Sequence, residues 1–158
     1  MKIKRLYLGL CGAVGLAGVG LWVSTAWFTY SVVLTHSLPG HVYAIKRDAP
    51  VQKGDLVAFR WHGGATYPAG TTFIKVVMGG PGDVVKRAGN EFWVNGQYIG
   101  VAKPKSKAGV PLTPAEPGVI PEGQMFVATP SPDSLDSRYA LSGNVKNYEV
   151  IGKAYAIF

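Results

Sequence analysis

The sequence predicts a mostly β domain, a coiled and partly closed sheet, carried behind one N-terminal transmembrane helix. Three observations point there. Residues 6–28 contain no charged side chain. From Tyr30 onward the chain breaks into short extended runs punctuated by glycine and proline, of which it has 21 and 11. Asn95-Gly96, set between Phe92-Trp93-Val94 and Gln97-Tyr98-Ile99, is the strongest short hairpin signal a sequence carries. The 158 residues therefore divide into a cytoplasmic N-terminus and anchor over residues 1–30 and one periplasmic domain over residues 31–158.

The anchor comes first. A helix rises about 1.5 Å per residue, so residues 6–28 are long enough for the roughly 30 Å hydrocarbon core. Gly9, Gly12, Gly15, Gly18 and Gly20 weaken a helix in water but are tolerated in lipid, where unsatisfied backbone groups cost far more. Trp22, Trp27 and Tyr30 form an interfacial aromatic belt at the far end. Lys2, Lys4 and Arg5 place the short N-terminal side in the cytoplasm, giving a single-pass protein of the bacterial inner membrane with its domain in the periplasm. Ser24-Thr25-Ala26 also suits a cleavable signal peptide, but the apolar run exceeds the roughly 7–15-residue core of such peptides. Cys11 is the single cysteine and reads as a small lipid-facing or packing residue.

Lys53-Gly54-Asp55 is a turn into the strand Leu56-Val57-Ala58-Phe59. His62-Gly63-Gly64 through Pro68-Ala69-Gly70 is a loop, and residues 73–78 are an apolar strand interrupted only by Lys75. Gly79-Gly80-Pro81-Gly82-Asp83 turns the chain into Val84-Val85. Residues 103–117, rich in Pro, Lys and Ala, read as a mobile loop, and residues 123–128 and 150–158 as further strands.

Composition excludes several functions. The formal net charge is +7, but the basic residues beyond the anchor are scattered and form no stripe, which excludes a nucleic-acid footprint. One cysteine and three histidines (His36, His41, His62) at unrelated spacings make no zinc set, so no metal and no cofactor is expected.

Two residues carry candidate chemistry. Ser37, in Thr35-His36-Ser37-Leu38-Pro39-Gly40, sits a few residues beyond the anchor, where a hydroxyl meets membrane-bound substrates. Pro39 and Gly40 bend the chain and let a substrate backbone come close. Lys75 reads two ways. It is an edge-strand gatekeeper or snorkelling side chain, or a lysine buried so that desolvation lowers its pKa, leaving it neutral near pH 7 to take a proton from a serine. His36 is a poor base for Ser37, because adjacent residues of an extended chain point to opposite faces. Asp133-Ser134-Leu135-Asp136-Ser137-Arg138 is either a turn with a surface ion pair or a support that orients Lys75 through a hydroxyl.

Together these stretches resemble the type I signal peptidases, a family of Ser/Lys proteases. Thr35-His36-Ser37-Leu38-Pro39 is similar to the nucleophile box. Residues 73–83, ending in Pro81-Gly82-Asp83, are similar to the lysine box. Residues 120–127 are similar to the strand before the last box, and Ser134-Leu135-Asp136-Ser137-Arg138-Tyr139 to the second half of that box. The resemblance implies a signal-peptidase-like catalytic domain with Ser37 as nucleophile and Lys75 as general base. Ser134 would position the lysine, Asp136 and Arg138 would support the site, and the Ser37 N–H with the Thr35 hydroxyl would form the oxyanion hole. Leu38, Val76 and Ala128-Thr129-Pro130 depart from the ordinary pattern.

Ser37-Leu38-Pro39-Gly40-His41-Val42-Tyr43 resembles instead the Ser-x-Pro-x-Gly-x-Tyr pattern of the conjugative-transfer, TraF-type branch, with His41 in place of that pattern's glycine. That resemblance implies maturation of a conjugative propilin for a type IV secretion system, with head-to-tail cyclisation as an outcome open to the same acyl-enzyme. Expected partners are a membrane-bound propilin or preprotein, the lipid bilayer and conjugative secretion components, with no nucleic acid. Two other readings stand beside it: a general signal peptidase removing leader peptides, and a non-catalytic membrane-tethered β subunit of a secretion assembly.

Overall fold

The computed structural model describes residues 2–33 and 37–158, with side chains for residue 7 and from residue 11 onward within those ranges. Helix α1 (Lys2–Ser24) precedes the strands β1 (Phe28–Val32), β2 (Val42–Arg47), β3 (Leu56–Arg60), β4 (Thr72–Gly79), β5 (Val84–Ala88) and β6 (Glu91–Val94). After these come β7 (Gln97–Val101), β8 (Gly118–Val119), β9 (Gln124–Ala128), β10 (Val145–Lys146) and β11 (Val150–Ala156). Seven strands form a large sheet in the order β1-β2-β11-β3-β4-β9-β10, and four form a small one in the order β7-β6-β5-β8. Every pairing in both sheets is antiparallel.

The uncharged run outlasts its helix. α1 ends at Ser24, and Phe28, expected as the last helical residue, already belongs to β1. The Ser24 and Thr25 hydroxyls donate back to the Leu21 and Trp22 carbonyls at 2.6 and 2.7 Å, a local competition that loosens a final helical turn. Arg47 of β2 donates its guanidinium to the Thr25 and Ala26 carbonyls and its N–H to that of Trp27, drawing the chain onto the sheet. The described side chains of α1 are exposed along nearly its whole surface. Among the described residues no helix is long and apolar enough to cross a membrane.

Strand alternation divides the apolar residues between three cores. Ile74 of β4 packs with Leu38, Tyr43, Ile45 and Ala58 on one face of the large sheet. Val77, one face over, packs with Val57, Phe59, Trp61 and Val127. A third core, built on Phe92, Val94, Ile120 and Phe126, joins the two sheets. The Pro81-Gly82-Asp83 turn links them: the Asp83 carboxylate accepts from the Gly80 N–H at 3.0 Å and from the Asn95 amide at 2.6 Å. Asn95 and Gly96 carry the positive φ values, 48° and 81°, that a two-residue hairpin requires.

Residues 103–117 lack regular structure but are tied down, against the expected mobility. Lys105 bridges to Pro111, Pro114 bridges to Tyr139, and the Ala115 N–H donates to the Arg138 carbonyl at 2.9 Å.

Candidate active site

Lys75 lies on β4, inside the large sheet between β3 and β9, opposite Val57 of β3. Only 6% of it is exposed, which removes the gatekeeper and snorkelling readings. Its ammonium group donates to the Ser134 Oγ at 2.8 Å and lies 5.5 Å from the centre of the Phe73 ring. Phe73 is held flat against Trp61, with ring centres 4.9 Å apart. Burial pulls the Lys75 pKa down to about 8; the charge of Asp136 opposes this and that of Arg138 adds to it. At pH 7 roughly a tenth of the amine is then neutral, a smaller share than the sequence suggested.

The chain after Ser37 is fixed by contacts that explain its composition. Leu38 is buried beside Ile74, which ties this segment to the strand bearing Lys75. Gly40 has φ +86°, and a Cβ there would lie 3.0 Å from the Phe158 carbonyl oxygen. That same oxygen accepts the His41 and Val42 N–H groups at 2.6 and 2.8 Å. The fully buried Tyr43 donates its hydroxyl to the Pro39 carbonyl. The Ser-x-Pro-x-x-x-Tyr spacing is thus a physical unit that holds the turn behind the serine. Thr35 and His36 lie outside the described residues.

Ser37, Lys75 and Ser134 share the wall of one cavity of about 240 Å³. Its apolar side is Val32, Val33, Tyr67, Phe73, Ile74 and Leu135. β9 pairs with β4 only from Val76 onward, so among the described residues Thr72–Ile74 face this cavity with a β3 partner on one side alone.

The Ser134 loop is held by a buried ion pair, not a surface one. Asp136 and Arg138 are 0% and 1% exposed, and Nε and Nη2 of Arg138 donate to the two carboxylate oxygens at 2.8 Å each. Nη1 and Nη2 also donate to the Val101 carbonyl at 3.2 Å and the Ser131 carbonyl at 3.0 Å, so one side chain fastens the loop to the small sheet. Ser137, to which the sequence assigned nothing, accepts the Val127 N–H on its Oγ at 2.9 Å and donates its own N–H to the Val127 carbonyl at 3.0 Å.

The profile of a family described as signal peptidase, peptidase S26, matches residues 6–158. The chain belongs to the signal peptidase family. It is accordingly a serine endopeptidase of the signal-peptidase type, and its mostly β, curled half-barrel sheet is signal-peptidase-like. Among solved structures, a crystal structure of a signal peptidase I from Enterococcus faecalis V583 matches it with 25% identity and a TM-score of 0.42, over 66% of this chain and 96% of that one. A search of curated proteins gave no match.

Within this signal peptidase, the departure at Ala128-Thr129-Pro130 has a visible consequence. The Thr129 N–H donates to Asp136 at 3.3 Å, while its buried hydroxyl has no partner among the described residues. Sequence reasoning passed over Phe73 and Tyr67. Phe73 was within reach, since it lies two residues before Lys75 on the same strand face. Tyr67 was not, because the glycine-flanked loop that carries it has no periodicity to read.

Proposed function

We propose a membrane-anchored endopeptidase in which Ser37 is the nucleophile and Lys75 the general base, maturing a conjugative propilin through an acyl-enzyme. The observation that carries it is the buried Lys75, with its depressed pKa, on the wall of the same cavity as Ser37. An extended substrate adds beside Thr72–Ile74, using the backbone groups that β9 leaves uncovered, and brings its scissile carbonyl to Ser37. The neutral amine of Lys75 takes the hydroxyl proton as Ser37 Oγ bonds to that carbonyl carbon. The proton then passes to the departing amine. Ser134 fixes the lysine amine, and the Asp136–Arg138 pair fixes Ser134. The Ser37 N–H and the Thr35 hydroxyl stabilise the oxyanion. Water or a second amine resolves the ester, and an amine at the substrate's own N-terminus yields a cyclic product.

The anchor is the uncharged segment of residues 6–28, supported by the three basic residues before it and by the exposed apolar surface of α1. It places the N-terminus in the cytoplasm and the catalytic domain in the periplasm, at the inner membrane, beside the conjugative secretion components that use the pilin. The pilin assignment rests on Ser37, Pro39 and Tyr43. The family match by itself favours the broader reading, general removal of leader peptides. Incubating the full chain with propilin and with a panel of preproteins decides: cleavage confined to propilin supports the proposal, and broad cleavage replaces it. Ser37→Ala and Lys75→Ala should each leave propilin unprocessed, and full processing by either removes the dyad. The intact mass of the product, one water lighter if cyclic, separates the two fates of the ester.

A further inference from the structure

A second cavity adjoins the first, and apart from Ser134 its lining has no part in the chemistry above. It holds about 120 Å³ and shares four wall residues with the Ser37–Lys75 cavity: Tyr67, Asp133, Ser134 and Leu135. Its far wall carries Lys103, Lys105 and Lys107. They sit on one short segment, Lys105 at its β-bridge and Lys107 in its turn. That segment is folded back on itself, with the Ser106 N–H on the Val110 carbonyl and the Leu112 N–H on the Pro104 carbonyl, both at 2.9 Å. The Lys103 N–H is further pinned to the Tyr139 hydroxyl at 3.0 Å. The lysines are therefore presented by a built wall.

Their charge is undercompensated. Asp133 accepts Lys103 at 2.6 Å and Lys107 at 3.3 Å, one carboxylate shared by two ammonium groups. Lys105 has no ion-pair partner among the described residues. Three cations and one anion leave a net positive hollow beside the cleavage cavity.

We propose that this hollow is a subsite for an acidic side chain of the peptide substrate, a few residues from the bond that is cut. The inference rests on the reading of the Ser37–Lys75 cavity as the place of cleavage. A peptide leaving that cavity over the Tyr67–Leu135 wall meets the hollow next. Its carboxylate pairs with Lys105 and competes with Asp133 for Lys107. The floor, formed by Leu112 and Tyr139, favours a side chain that enters over a flat anionic membrane, which would meet only the lysine tips.

The test uses the full chain in phosphatidylcholine vesicles and a pool of peptides of randomised sequence, with cut positions read by mass spectrometry. Asp and Glu should be enriched among cut peptides at one fixed distance from the cut. Replacing that residue by its amide should lower kcat/KM about fivefold, and this acid-to-amide ratio should fall toward one in Lys105→Gln/Lys107→Gln and at high salt. Absence of acidic enrichment, or a ratio the double variant leaves unchanged, overturns the subsite. So does a double variant that loses only its association with phosphatidylglycerol vesicles. A binding arm keeps this separate from the failure of the dyad. With Ser37→Ala, an Asp-containing alanine-based peptide should bind more tightly than its Asn counterpart, and the lysine substitutions should remove the difference. If no peptide is cut, the dyad falls and this arm still decides the subsite: equal binding of the two peptides overturns it.

Discussion

Two cations are buried in this signal peptidase, and only one of them has a carboxylate in contact. Arg138 is clamped on both oxygens of Asp136 and also donates to the Val101 and Ser131 carbonyls. Lys75, 6% exposed, has the Ser134 hydroxyl and the face of Phe73. A guanidinium paired with a carboxylate stays charged and serves as a fastener. An ammonium group given a hydroxyl in place of a counterion gives up its proton more readily, and its pKa falls to about 8. The same burial thus yields a structural cation and a candidate base, and partners decide which is which.

The contrast breaks first at the base. Lys75→Met keeps the apolar stem and removes the amine. Cleavage of a substrate peptide should drop by about 10²–10⁴-fold, the usual share of a general base, with thermal stability kept or raised because a buried charge has gone. A variant that cleaves at the parent rate would leave Lys75 without a chemical role. Ser37→Ala should be at least as severe, and should also abolish trapping of a covalent acyl intermediate detectable by mass spectrometry.

At the fastener the order of effects reverses. Asp136→Ala leaves Arg138 buried and uncompensated, and should cost about 3–5 kcal/mol in denaturant unfolding. Asp136→Leu with Arg138→Met should cost clearly less than the two single changes added together, because the pair is one unit. Simple additivity would deny the coupling. Ser134 is the hydrogen-bond partner of Lys75. Ser134→Ala removes the acceptor of the Lys75 hydrogen bond and should lower kcat by about 10–100-fold while KM holds, the scale of one hydrogen bond to a charged group.

Titration sharpens the same comparison. In the proposed mechanism the neutral amine is the active form, so kcat/KM should fall tenfold per pH unit below about 8. For stability, the folded pKa of about 8 lies below the ordinary 10.5. Between those values the unfolded chain binds more protons, so stability should rise as the pH goes up through that window and be lost as it falls. Lys75→Met should flatten this slope, whereas Arg138 should contribute none in the range.

What the sequence made legible follows the same division. The apolar run around Lys75 announces a buried strand by itself, and Asn95-Gly96 fixes a hairpin without help from the rest of the fold. The box of Ser134, Asp136 and Arg138 was readable as a unit, but not its depth: a turn-like string of polar residues gives no sign that it will be covered by the small sheet. β2 went unread because Val42–Arg47 ends in two cations and pairs with β1 and β11, of which β11 lies a hundred residues away. The end of α1 was unreadable for a similar reason. Its terminator, Arg47, comes from another part of the chain.

The smallest expected effect tests how closely the fastener is fitted. Gly100 ends the Arg138 channel on β7: its φ is +138°, and a Cβ there would stand 2.8 Å from Nη1 of Arg138. The guanidinium is flexible in isolation, but here its planar group is bound to Asp136, Val101 and Ser131 at once, so it has little room to yield. Gly100→Ala should therefore destabilise by about 1–3 kcal/mol through overpacking and backbone strain. The close approach is to Nη1 of Arg138, whereas Ser134 bonds Lys75. Unfolding should shift while the acidic limb of the kcat/KM profile stays in place. If that limb moved with the midpoint, the fastener and the base would be one mechanical unit, and the distinction between the two buried cations would have to be given up.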